Sequence, residues 1–435
     1  MTKGYKKFLL LWGASLISSS GSGMSSFALG IYIYQMTDMS SMTGLIILAG
    51  FLPGLFLSPL AGALADRHDR RLLMMLGDGL SIIGLVCILF SLQFLHESSL
   101  VIGVLLGAAI SSSFSSLVEP AFRATISDLL EKEEYSKASG MVQLIPASRY
   151  LLSPILSGLV LSFAGIRTIL LLDMLTILVT LPITYLVRKE MKGIQKDNVG
   201  ELGDDLRLGF RIIHEKKGIW FLVLLGILVS FCLGTVQTLM IPMLLPVGGE
   251  SFVGFATTTS AFGMLVGGLL ISKLSIKKGF AGLLQVALLG MGLFMTAFAW
   301  SEHTILVLVF GFCLFLSLPF ANTVMDYLVR ITIPAEHQGK AWGTIGLISQ
   351  VGYVLAYASV GIIVDFLIKP FLKNDGSLSQ LVEILIGRGE GRSAAVMIIL
   401  AGIFLMMIAP ILSSRNEIKE LENESLSKND GIEIS

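Results

Sequence analysis

Long apolar runs alternate with short polar segments along nearly the whole chain of 435 residues. Each run is long enough to cross the ~30 Å hydrocarbon core of a bilayer as a helix. There are twelve such runs, at about 8–34, 42–65, 72–95, 99–121, 137–163, 168–187, 218–246, 252–272, 279–300, 304–326, 341–367 and 393–412. The pattern predicts an all-α membrane protein whose twelve transmembrane helices form two six-helix bundles.

The polar segments set the predicted domain boundaries. Residues 1–187 form the first bundle, residues 188–217 form a charged linker, and residues 218–412 form the second bundle. The tail, 413–435, is rich in Glu, Asn and Ser, a composition typical of disordered chain.

A weak internal repeat relates the two predicted bundles. Residues 62–67 align with residues 268–273 at an offset of 206, and residues 137–140 align with residues 340–343 at an offset of 203. Both matches fall at equivalent helix pairs and give nearly one offset. They favour two pseudo-symmetric halves, as in transporter folds that are built from repeats.

The distribution of basic residues predicts the orientation in the membrane. With the N-terminus inside, the cytoplasmic segments hold 25 of the 31 Lys and Arg residues and the external loops hold five. Lys and Arg concentrate in cytoplasmic loops. We therefore expect a multi-pass protein of the cell membrane with both termini in the cytoplasm. The first apolar run continues to about residue 34, which is typical of a span rather than of a signal peptide.

Composition excludes several other classes of function. Charged residues make up only 14 % of the chain, and the formal net charge of zero gives no reason to expect a nucleic-acid partner. The three cysteines lie far apart in separate apolar runs, so neither a disulfide framework nor a metal site is predicted. No phosphate-binding loop and no His/Glu metal spacing occurs, and all five histidines fall in loops. We expect a protein that is not an enzyme and needs no cofactor.

The charged decapeptide between the second and third spans, residues 62–71, reads G-A-L-A-D-R-H-D-R-R. It resembles the loop motif of the major facilitator superfamily, G-x-L-x-D-R-x-G-R-R, although Asp69 stands where that pattern has glycine. The D-R-H-D-R form is similar to the branch that contains macrolide-efflux transporters and siderophore exporters. The resemblance implies the twelve-helix major facilitator fold, in which two bundles rock about a cavity at the midplane.

In the family that the chain resembles, this turn is part of a conformational gate. The resemblance implies gate roles for Asp66, Arg67, Arg70, Arg71 and Glu119. It also implies that Arg70 pairs with Glu119 and that Asp66 faces the start of the eleventh span. A simpler reading, a basic loop that only sets the topology, explains the arginines but not Asp66.

Three charged residues inside the spans are candidates for coupling or substrate binding, because a charge in a span is costly unless it has a partner or a cavity. Arg149 lies halfway along the fifth span and Asp173 lies in the sixth, so a contact between them is possible. Asp78, in the third span, has a structural role as its alternative. Arg149 could instead clamp two helices, and Asp173 could be wetted at the outer mouth.

The fifth span also contains a degraded form of the superfamily's antiporter motif, G-P-x-x-G-G, at residues 153–158, with Ser153 and Ser157 in place of glycines. Polar side chains in other spans could line a cavity: Gln143, Gln237, Asn322 and Gln350. Small polar residues in spans can equally serve close helix packing. Asp326 and Asp365, near span ends, are expected to touch headgroups or water.

By this resemblance we expect a secondary transporter that exports an amphipathic small molecule, as in macrolide efflux, in exchange for protons. The predicted partners are therefore the substrate, protons and the lipid bilayer, and the expected state is a monomer. Export of a siderophore or another secreted metabolite is one alternative. A transport-inactive membrane scaffold or sensor is an alternative of another class, although no appended domain supports it.

Overall fold

The computed structural model describes residues 2–131, 134–189, 216–274, 279–301, 303–374 and 389–413, with some further residues within 208–214, 380–387 and 415–421. The side chain of Asp66 is among those not described. Most of the predicted linker, residues 190–207, and the tail beyond residue 421 lie outside the described residues.

The predicted all-α fold is confirmed, because the described residues contain helices and no strand. In chain order the helices are α1 (Lys3–Thr37), α2 (Ser40–Arg67), α3 (Arg70–Phe94), α4 (Glu97–Ser115), α5 (Val118–Leu129), α6 (Tyr135–Leu151), α7 (Ser153–Lys189), α8 (Lys217–Lys273), α9 (Phe280–Trp300), α10 (Thr304–Thr332), α11 (Ala335–Ile363), a π-helical turn (Val364–Ile368), α12 (Lys369–Lys373) and α13 (Arg392–Ser413).

Nine helical stretches within the described ranges are long and apolar enough to cross a membrane. Two of the long helices bend at glycines where the sequence predicts the boundary between two spans. α7 bends at Gly165, with φ at 75°, and α8 bends at Gly248 and Gly249, the latter with φ at 67°. Glycine accepts this left-handed backbone without the steric cost that a side chain would add.

Two predicted spans are each broken into two helices. Residues 99–121 divide between α4 and α5, and residues 137–163 divide at Leu152 between α6 and α7. Proline has no N–H to donate to the carbonyl four residues earlier. Pro120 and Pro154 therefore each remove one helical hydrogen bond next to the break.

The chain divides into two compact units. Unit 1 contains residues 1–38, 45–199 and 248–258, and unit 2 contains residues 39–44, 200–247 and 259–435. In unit 1, α1 packs against α6 and α7, and α3 packs against α4, α5 and α7. In unit 2, α9 packs against α10 and α13. Each unit thus includes a short stretch from the other half of the sequence.

The stretch that unit 2 takes from the first half is the start of α2. The backbone N–H groups of Ser40 and Ser41 donate to the two carboxylate oxygens of Asp365, at 3.0 and 2.8 Å. The first N–H groups of a helix have no partner within the helix, and an anion there is favoured by the helix dipole. Gly361 makes the approach possible, because a Cβ at that position would lie 2.5 Å from the Ser40 carbonyl oxygen.

Candidate functional site

The charged turn between α2 and α3 is fixed by an aspartate that the sequence analysis did not single out. Arg70 donates to the Asp128 carboxylate at 2.6 Å and to the Ala124 carbonyl at 2.8 Å. Arg71, only 2 % exposed, donates to the other oxygen of Asp128 at 3.2 Å. One carboxylate near the end of α5 therefore binds both guanidinium groups.

Glu119 has a different partner from the one that the resemblance implies. It accepts hydrogen bonds from Arg123, four residues later on α5, at 2.9 and 3.0 Å, and both side chains are exposed. The predicted Arg70–Glu119 pair is therefore wrong. The physical reason is the length of α5: Glu119 lies in its first turn, whereas Asp128 lies at the end that reaches Arg70. Arg67 is the exposed last residue of α2.

Asp69, the departure from the family pattern, has two structural roles. It is the N-cap of α3, where its side chain accepts from the Arg71 N–H at 3.1 Å. Its other oxygen accepts from Arg188, at the end of α7, at 2.7 Å. Partial burial by itself would raise the pKa of Asp69, but the hydrogen bonds from Arg188 and from the Arg71 N–H lower it below the ordinary value of 3.8.

We expect Asp69→Ala to lower the free energy of unfolding by about 1–2 kcal/mol, because it removes the cap and the ion pair together. Asp69→Asn keeps a good capping residue and loses only the ion pair, so its free energy of unfolding should fall by less than about 1 kcal/mol. Arg188→Gln removes the same ion pair and should cause the same loss. The measurement is the Tm of the purified protein in detergent. The folded pKa is lowered, so this stabilisation is complete above the unfolded pKa and disappears as the pH falls through the folded value. Equal losses in the Ala and Asn variants would contradict the capping role.

Two buried carboxylates lie against α1 inside unit 1. Asp78, on α3, accepts from the Ser18 hydroxyl at 3.2 Å and from the Thr180 hydroxyl at 3.5 Å. Asp173, on α7, is 2 % exposed. Gly21 leaves room for it, since a Cβ there would lie 3.0 Å from Asp173 Oδ1.

The Asp173 carboxylate is incompletely satisfied. Ser25 on α1 faces it, yet neither Asp173 Oδ1 nor Ser25 Oγ has a hydrogen-bond partner of normal geometry among the described residues. Asp78 lies close enough to repel it electrostatically. Burying a carboxylate charge without such partners costs free energy. Removing the charge on Asp173 would therefore remove this cost.

Arg149 completes the polar cluster of unit 1. Its Nε donates to the Ser19 hydroxyl on α1 at 3.1 Å, and its charge attracts both Asp78 and Asp173. Within the described residues no direct ion pair joins Arg149 to Asp173. The three charges therefore interact across the Ser/Gly-rich face of α1 rather than through one contact.

The serines of the degraded antiporter motif bind α1 to α7. Ser153 donates to the Ser20 carbonyl at 2.9 Å and Ser157 donates to the Met24 carbonyl at 3.0 Å. Pro154 and Gly158 meet the second part of α8, since a Cβ on Gly254 would lie 2.3 Å from the Pro154 carbonyl oxygen. This stretch thus packs helices of unit 1 together closely.

Unit 2 contains a cavity of about 260 Å³ between α8, α10 and α11. Asn322, predicted to line a cavity, lies in its wall together with Asp326, Trp342 and Tyr353. Three other predicted lining residues lie elsewhere. Gln237 accepts a short hydrogen bond from the Tyr357 hydroxyl, Gln350 is half-buried on α11, and Gln143 is exposed on α6.

The structural roles of Asp128 and Asp69 were not predicted from the sequence. A signal for Asp69 was present, because an Asp directly before an apolar helix is a typical N-cap. Asp128 had none, since its partners depend on where α5 ends.

Several known proteins are similar to this chain. Macrolide efflux protein A of Streptococcus pyogenes is 26 % identical over 358 residues, covering 79 % of this chain and 85 % of that protein. Enterobactin exporter EntS of Salmonella choleraesuis is 26 % identical over 353 residues, covering 79 % of this chain and 82 % of that protein.

A solved bacterial homologue of the iron transporter ferroportin, in its inward-facing state, has the same fold. Its TM-score is 0.71 at 14 % identity, over 95 % of this chain and 100 % of that one. The family model of the Major Facilitator Superfamily matches residues 11–357. Because the match spans most of its length, this chain belongs to the Major Facilitator Superfamily, a family of membrane transporters.

Proposed function

We propose that this transporter exports an amphipathic small molecule, of the macrolide-like class, across the cell membrane in exchange for protons. The observation that carries the proposal is the polar cluster of unit 1, in which Asp173 and Asp78 are buried against α1 near Arg149. Ionisable side chains inside a membrane mark ion or substrate pathways and proton relays.

The arrangement suits a group that exchanges its charge for a proton. When Asp173 is ionised, one arginine attracts two carboxylates that repel each other. When Asp173 takes up a proton, the repulsion between the two carboxylates ends, and Arg149 is attracted to Asp78 alone. Proton binding therefore changes the electrostatic interactions between α1, α3, α6 and α7. Such a change can alter how these helices pack against one another.

The charged turn is proposed as the conformational switch, with Arg70 and Arg71 held by Asp128. Arg67, which is exposed, and Asp66, whose side chain is not described, belong to the same turn and share that proposed role. Glu119 pairs with Arg123 on the surface and is not part of this proposed switch.

A second candidate is export of a siderophore or another secreted metabolite. Its support is the similarity to an enterobactin exporter over the same share of the chain as the similarity to macrolide efflux proteins. The two candidates share the direction of transport and differ only in the molecule carried.

The test is accumulation in cells that lack their own drug pumps. We expect cells that express the protein to hold less macrolide than cells with an empty vector, and a protonophore to abolish the difference. Siderophore-like compounds in the same panel decide the second candidate. Failure to export any compound of either class would overturn the proposal and favour a scaffold or sensor.

The orientation and the oligomeric state are part of the proposal. Both termini are placed in the cytoplasm from the distribution of basic residues, and the protein is taken to act as a monomer. In a variant without the three native cysteines, an impermeant thiol reagent added outside should label Ser301→Cys and miss His68→Cys. The reverse pattern would overturn the orientation, and light scattering of the purified protein checks the monomer.

A further inference from the structure

The cavity of unit 2 carries a feature that the proton pathway does not use, the Asp326 carboxylate in its wall. Building on the proposed function, we propose that this cavity binds a positively charged, amine-bearing part of the exported molecule. Asp326 would pair with the ammonium group, and the aromatic rings of Trp342 and Tyr353 would pack against its alkyl substituents. The substrate class is thereby narrowed to amphipathic cations.

The cavity is made by one face of each of three helices. Residues three and four apart lie on the same face of a helix. Asn322 and Asp326 have this spacing on α10, and Trp342, Gly346 and Tyr353 follow it on α11. α8 closes the third side, mainly with apolar side chains. The wall therefore offers carboxylate and amide oxygens from one helix and aromatic surface from another.

Asp326 is available to a ligand. It is exposed, and no hydrogen bond or ion pair within 4 Å to its carboxylate is found in the part of the chain that the structure describes. Arg330, four residues later on α10, is the charged group that acts on it electrostatically. Charged side chains within a membrane-spanning helix pair with one another or face a cavity. Since Asp326 is part of the cavity wall, we infer that its carboxylate faces the cavity.

The chemistry favours a cation over an anion or a neutral ligand. An ammonium group is attracted both to a carboxylate and to the face of Trp or Tyr, whether or not it carries an N–H; a protonated amine can also donate a charge-assisted hydrogen bond. A negatively charged ligand would be repelled by Asp326. At about 260 Å³ the cavity lies just below the range of ~300–1,000 Å³ typical of whole drug-sized ligands. It therefore fits one substituent of a larger molecule.

A pair of matched probes tests this by equilibrium binding. Benzyltrimethylammonium carries a permanent charge on a benzyl group, and neopentylbenzene is its neutral isostere. Binding is measured on the purified protein in nanodiscs, with empty nanodiscs subtracted. We expect Asp326→Asn to weaken binding of the cation at least about tenfold, which corresponds to ~1.4 kcal/mol. Asp326→Glu should retain it within about threefold, and binding of the neutral probe should not change in either variant.

Two glycines of α11 supply a steric test with a matched control. Gly346 lines the cavity, and a Cβ there would have nothing within 4 Å, so Gly346→Leu fills space without a clash. Gly343 is equally open but is not part of the wall. Gly346→Leu should weaken binding of both probes, and Gly343→Leu should weaken neither.

Equal binding of the cation by the wild type and by Asp326→Asn, or no effect of Gly346→Leu, would overturn the proposal. Because the binding measurement needs no transport, the proposed cation site can fail or hold independently of the accumulation assay. Probe binding that depends on Asp326, in a protein that exports nothing, would contradict the proposed function alone. Export that survives in Asp326→Asn without loss for amine-bearing compounds would contradict the cation site alone.

Discussion

Asp173→Asn is expected to abolish uphill export while leaving downhill exchange of substrate intact. The variant keeps the size and one oxygen of the side chain but can neither take up nor release a proton. If this carboxylate couples the proton gradient to transport, the neutral amide fixes the cluster in the state that protonation normally produces. The ratio of substrate concentrations should then fall to about one, because nothing drives movement against the gradient.

The measurement uses proteoliposomes with an imposed pH gradient for uphill transport and counterflow of labelled substrate for exchange. Counterflow also shows that the variant is folded and cycles. Glu119→Gln is the matched control, the same change of acid to amide at an exposed position, and should behave as the wild type. If Asp173→Asn still concentrates substrate, the carboxylate is structural and coupling occurs elsewhere.

Asp128→Asn is expected to cause the largest loss of stability, about 3–5 kcal/mol in the free energy of unfolding. Arg71 is almost fully buried, and Asp128 is its charged partner. Removing that charge leaves a buried guanidinium without compensation, and Arg70 loses its carboxylate at the same time. Removing one member of a buried pair is far more costly than removing an exposed one.

Thermal unfolding in detergent compares Asp128→Asn with Glu119→Gln, whose exposed pair should contribute less than about 1 kcal/mol. A double variant, Arg71→Met with Asp128→Leu, should recover part of the loss, because apolar residues can replace a buried ion pair. Equal shifts in Tm for Asp128→Asn and Glu119→Gln would show that the turn is held by something other than this carboxylate.

The sequence predicts the helical spans well, because a bilayer requires about 20 apolar residues in a row and the runs record that directly. Prediction from the sequence fails where backbone hydrogen bonding determines whether a helix continues. The breaks at Leu152 and before Val118 arise from prolines inside runs that remain apolar throughout. Hydropathy does not respond to a missing N–H group.

The candidate site is predictable in part for a related reason. Asp173, Asp78 and Arg149 could be singled out because a charge within an apolar run is visible in the sequence. Their arrangement could not, since it depends on which residues of α1 are small enough to admit them; Gly21 is one such position. The predicted partner of Arg70 was wrong because Asp128 and Glu119 are both acids on α5. Which of them lies within reach of Arg70 depends on where α5 begins and ends.

The link from Asp365 to the start of α2 has a consequence for the order in which this protein matures. The two partners are separated by more than 320 residues, so the first turn of α2 is synthesised and inserted long before its cap exists. Until α11 and the π-helical turn follow, the N–H groups of Ser40 and Ser41 must be satisfied by water or headgroups. Unit 2 cannot be completed from the second half of the sequence alone. A ribosome that stalls before residue 365 therefore leaves the first turn of α2 without its cap.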